Sequence, residues 1–109
     1  MRHALLAPIF AAAALAAMAI PAFAQQQPSA AIGERIARQW CASCHLVAAD
    51  QRAPAPDTAP PFASIAARPN ATAGALRTII QMPYPRMPQI ALSRDEVEHV
   101  IAYIVSLKR

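Results

Sequence analysis

Cys41-Ala42-Ser43-Cys44-His45 puts two thiols and an imidazole within five residues, and each has its own chemistry open to it. Two thiols separated by two residues can add across the two vinyl groups of one porphyrin as thioethers. The histidine directly after the second thiol is then held beside the iron, where a ring nitrogen can take the proximal position. C-x-x-C-H therefore reads as covalent attachment of haem c, whereas a bare C-x-x-C leaves thiol-redox and zinc readings open. The chain has only these two cysteines, so a single motif predicts one haem and leaves no thiol for a structural disulfide.

The opposite face of the iron needs a second donor, and Met82, Met87 and His99 are the candidates. At about 100° per residue, His99 lies some 200° around its helix from Val97, nearly opposite the apolar stripe, and is expected to face water. Met82 continues directly from a helical segment and can simply finish its apolar face. Met87 sits within Met82 to Pro88, where three of seven residues are proline, with Pro85 and Pro88 on either side of it. A thioether is a weak, soft donor and stays on iron more readily when its backbone is restrained in advance. Met87 is the expected distal ligand, with Met82 as the alternative.

Four elements are expected to position these groups. Ser29 can cap a helix running to about Trp40, with Ile32, Ile36 and Trp40 on one face and Gly33 suited to a close helix approach. The haem motif closes that helix. A disulfide-exchange motif normally opens a helix, where the dipole lowers the thiol pKa, so the order of elements argues against a thiol oxidoreductase. Leu46 to Pro61 is aperiodic and proline-rich, and a short apolar turn follows at Phe62 to Ala66. Asn70 or Thr72 can cap a helix over Ala73 to Gln81. Ser93 and Glu96 form a capping box, and Val97, Val100, Ile101, Ile104 and Val105 make the amphipathic stripe of a last helix. Lys108 and Arg109 are expected at the negative end of its dipole. No β pattern competes, so the fold class is all-α.

The N-terminus reads differently from the rest. Met1-Arg2-His3 is a short basic start, Ala4 to Ile20 is almost wholly apolar, and Pro21 precedes Ala22-Phe23-Ala24, an A-x-A site. That order is a secretory signal peptide over residues 1–24, cleaved after Ala24. The apolar run is at the short limit for a membrane span and contains Pro8, so no stable span is expected after cleavage. Residues 25–109 then form one small domain, whose thin core calls for a cofactor as staple. Without Arg2, nine basic residues face six acidic ones, a net of +3. The basic residues are scattered, which argues against nucleic acid as a partner.

The mature chain, about Ala31 to Leu107, resembles the class I single-haem c-type cytochromes. The resemblance rests on Gly33, eight residues before Cys41, on Cys41-x-x-Cys44-His45, on Arg86-Met87-Pro88, and on the closing run Val100-Ile101-Ala102-Tyr103-Ile104. It implies a small cytochrome c fold, three to four helices wrapped around one covalently attached haem, with the first and last helices crossing near Gly33 and Tyr103. It also implies that a proline carbonyl accepts from the proximal histidine. Pro60 in Ala59-Pro60-Pro61-Phe62 is the expected acceptor, with Pro61 its neighbour in the same stretch. Two departures are visible. Ala37 stands where the family often has a large aromatic, with Trp40 expected to fill that space, and the loop before Pro60 lacks glycine.

The function implied is one-electron transfer in the periplasm, between a donor and an acceptor redox protein met transiently. An electron-accepting haem subunit of a periplasmic dehydrogenase shares the same chemistry, as a subunit in place of a free monomer. A haem enzyme or gas sensor with a labile sixth ligand is the remaining alternative.

Overall fold

A computed structural model describes residues 26–52 and 59–109, so the expected signal peptide and the Pro54–Pro56 part of the loop lie outside the described residues. Four helices follow in order: α1 (Ala30–Trp40), α2 (Phe62–Ala66), α3 (Ala73–Gln81) and α4 (Arg94–Ser106). No strand is present among the described residues, and only a single bridge pairs Tyr84 with Met87. The all-α expectation holds, and the turn at Phe62 is a short helix.

Local chemistry sets the helix starts. Ser29 accepts from the Ile32 N–H at the head of α1. Thr72, not Asn70, caps α3 by accepting from Ala75 N–H. Ser93 and Glu96 satisfy each other's main-chain amides at the start of α4, as the capping box predicts. At the other end α4 stops at Ser106 with Leu107 as its cap. Lys108 and Arg109 therefore lie beyond the last turn, which carries no basic residue.

The core is built on α4. Val97, Val100, Ile101, Tyr103 and Ile104 are buried together with Ala37, Val47, Phe62, Ala66 and Leu76. α1 crosses α4 at Gly33, where an added Cβ would run into the His99 carbonyl and lie 2.9 Å from Tyr103 Cβ. The glycine that costs helix propensity is thus required by the crossing. One turn on, Ala37 is completely buried, so no space remains there for a ring, and Trp40 stays 47% exposed at the end of α1. The expectation that Trp40 fills that space is incorrect.

The expectation that His99 faces water is also incorrect. His99 is 5% exposed, and its Nδ1 accepts from the Ser29 N–H at 2.8 Å. The chain entering α1 covers a side of α4 that the apolar stripe of α4 alone leaves open. α3 is tied to α4 by Arg77, whose Nε and Nη2 donate to the two carboxylate oxygens of Glu98 at 2.5 and 2.8 Å. No helix among the described residues is long and apolar enough to cross a membrane.

Candidate haem site

Cys41 is the C-cap of α1, and its N–H still bonds Ala37 O at 2.8 Å. The chain then tightens into a turn in which the Cys44 and His45 N–H groups both donate to Cys41 O, at 3.2 and 2.9 Å. The motif therefore follows the carbonyl end of a helix. Burial pushes the Cys41 thiol up to about 11, the reverse of what a disulfide-exchange nucleophile needs. The two cysteines are not bonded to each other.

His45 lies 2.7 Å through Nδ1 from the Pro60 carbonyl. A carbonyl can only accept, so Nδ1 carries the ring proton and the Nε2 lone pair is available to a metal. The Pro60 segment is itself anchored, since the Phe62 N–H donates to Leu46 O at 3.0 Å. The Phe62 ring packs 5.2 Å from the His45 ring at 58°, and Tyr103 packs behind it at 6.3 Å. The Tyr103 hydroxyl donates to Val47 O at 2.6 Å, joining α4 to the residues just after His45. Burial is the main cause that raises the Tyr103 pKa.

Met87 and Met82 sit on the other loop, between α3 and α4. The Met87 N–H donates to Tyr84 O at 3.0 Å, closing a four-residue turn with Pro85 at its second position, where proline is pre-set for the bend. Met87 is half-buried, whereas Met82 caps α3 in extended backbone and is 58% exposed. The base of this loop is held by Gln89, whose Nε2 donates to Gln81 O at 3.0 Å.

Several positioning residues escaped the sequence reading. Gln51 donates through Nε2 to the carbonyls of Ala42 and His45, both at 3.0 Å, and accepts from the Val47 N–H at 2.9 Å. Arg38 on α1 bridges Glu34 and Asp50 at 2.7 and 2.6 Å, and this guanidinium holds the Asp50 carboxyl below its ordinary range. Neither Gln51 nor Asp50 belongs to a periodic pattern or a motif, so no signal along the chain marks them.

These residues suit a haem. Two thiols on one turn beside an imidazole with its far nitrogen already hydrogen-bonded have the chemistry of c-type attachment, and the restrained loop offers Met87 as a candidate soft donor. Exposed apolar side chains flank both loops: Trp40 precedes the motif, and Ile79, Met82 and Tyr84 surround the second loop. The fold and this set define a protein that carries covalent haem c.

The sequence comparisons agree. Residues 28–104 match the family described as "Cytochrome C oxidase, cbb3-type, subunit III". Cytochrome c-552 of Bradyrhizobium diazoefficiens is 43% identical over 76 residues, covering 70% of this chain and 72% of that protein. No solved structure matches the chain. The chain belongs to the class I c-type cytochromes, and its cofactor is haem c with iron.

Proposed function

We propose that this cytochrome is a periplasmic one-electron carrier, exported by residues 1–24 and working as the mature domain 25–109. Haem c is joined to Cys41 and Cys44, with His45 as the proximal and Met87 as the distal ligand. The observation that carries the reading is the 2.7 Å contact of His45 Nδ1 with Pro60 O, which leaves Nε2 as a basic, oriented donor. When bound, the haem supplies an iron that alternates between ferrous and ferric, and sulfur ligation raises its potential.

The chain's own residues supply restraint. Pro60 holds the His45 tautomer, and the turn from Tyr84 to Met87 limits how far the thioether can move. Small movement at both donors keeps the cost of changing oxidation state low. The donor and the acceptor are redox proteins, and no nucleic acid is involved.

Replacing Met87 tests the ligation. M87A is expected to lose the methionine-to-iron absorption band, bind carbon monoxide readily and have a lower reduction potential, while M82A keeps all three properties of the parent. The reverse result transfers the role to Met82. Rapid carbon monoxide binding by the parent protein itself supports the gas-sensor or haem-enzyme reading instead.

A second reading is a haem subunit of a larger electron-transfer assembly, such as a dehydrogenase. It gains support from the family description, which is that of an oxidase subunit. Purification of the protein from its own periplasm distinguishes the two: a free carrier elutes at the mass of one small domain, a subunit with its complex.

A further inference from the structure

Three main-chain groups around His45 converge on one side chain. The Gln51 amide donates to the carbonyls of Ala42 and His45 and accepts from the N–H of Val47. Both of its N–H groups and its oxygen are engaged, which is nearly the full capacity of a glutamine. Its reach runs from Ala42, the second residue of the haem motif, to Val47, two residues after it. Other ties on the same loop, Tyr103 to Val47 O, Phe62 N–H to Leu46 O and Arg38 to Asp50, do not touch the motif itself.

We propose that Gln51 is the positioning residue of the proximal histidine: its amide locks the turn from Ala42 to Val47 and so holds His45 against Pro60. This rests on the reading of His45 as an iron ligand. The ring is fixed at one end by Pro60 through Nδ1. At the other, Cys41 O holds the His45 N–H, while Gln51 holds the His45 carbonyl and ties it to Ala42 and Val47. Without the amide, the carbonyl side of His45 could turn and carry the ring with it; with all three ties, the direction of the Nε2 lone pair is set by the polypeptide. The chemistry is specific to an amide, because glutamate keeps the acceptor and the shape but loses both donors, and methionine keeps the length but loses all three bonds.

The test uses haem-loaded protein carrying Gln51→Glu, Gln51→Met or, as a control on the same loop, Arg38→Ala. Three quantities are read at one pH: the hyperfine-shifted His45 ring signals of the ferric protein, the reduction potential, and hydrogen exchange at the Val47 amide. Q51E is expected to move the His45 signals and the potential while leaving Val47 protected. Q51M is expected to move all three, with Val47 exchange faster by about tenfold, the worth of one ordinary hydrogen bond. R38A should leave the His45 signals in place.

Unchanged His45 signals and potential in Q51E overturn the inference, whatever happens to the melting temperature, and the same result in Q51M does so independently. Parent protein in which His45 shows no hyperfine shift is a different failure: it removes the ligand reading, and this inference with it.

Discussion

Because the Pro60 carbonyl can only accept, its 2.7 Å contact assigns the ring proton of His45 to Nδ1 and leaves the Nε2 lone pair as donor. Residues away from the motif then decide how firmly that ring is held. Tyr103 is one of them: its ring backs Phe62 and its hydroxyl reaches the Val47 carbonyl at 2.6 Å. Tyr103→Phe keeps the ring but strands a buried carbonyl, and is expected to destabilise the protein by about 1–2 kcal/mol in denaturant unfolding. Because burial raises the phenol pKa, the neutral form is the one the fold favours. Its stabilisation is complete below the ordinary tyrosine value and falls away as pH rises toward the raised one. Tyr103→Phe should therefore lose less stability than the parent above a pH of about 10.

Among the elements, the α1–α4 crossing admits the least change. At Gly33 a methyl group meets backbone on α4, which cannot swing aside as a side chain tip can. Gly33→Ala is expected to cost about 3 kcal/mol or to prevent folding. At Gly74, on α3, nothing lies within 4 Å of the same methyl. Gly74→Ala should stabilise by about 0.5–1 kcal/mol through helix propensity alone, and a thermal melt of the two variants reads the contrast. The α3–α4 tie gives a pH dependence. Hydrogen bonding to Arg77 lowers the Glu98 pKa, so its ionised form is favoured in the fold. That stabilisation is present above the ordinary carboxylate value and is lost as pH falls through the lowered one. Glu98→Gln should flatten the acid limb of the stability curve, and added salt should shrink the difference because the pair is partly exposed.

At the scale of the whole molecule, the described residues include a core of ten buried apolar side chains centred on one helix, a thin core that a staple would strengthen. With the ligands proposed above, covalent haem would supply it by joining the end of α1 to the Met87 loop through one rigid group. A variant with both Cys41→Ser and Cys44→Ser is expected to release its haem to acid acetone and to unfold at a lower denaturant midpoint than the parent. The export reading belongs to this scale too: in a bacterial host, deletion of residues 2–20 should leave haem-free polypeptide in the cytoplasm.

Much of this was legible along the chain because it depends on neighbours in sequence. The attachment motif, the capping box at Ser93, the last helix and the stiff loop around Met87 all follow from residues a few positions apart. Gly33 by itself signals a close helix approach, but its partner on α4, like the role of Pro60, became legible only through resemblance to a family, since those partners lie far along the chain. His99 and Trp40 were misread for a related reason. Helical periodicity ranks the faces of one helix against water, but it cannot say which face a second helix will cover. The entry of α1 buries His99 beneath Ser29, and the tight fit around Ala37 leaves Trp40 outside. Gln51 gave no signal at all, because its three partners are main-chain groups of the folded turn. The sequence by itself determined the cofactor, the helices and the candidate donors. Only the tertiary structure decided how those donors are held, because the hydrogen bonds that hold them join segments that folding brings together.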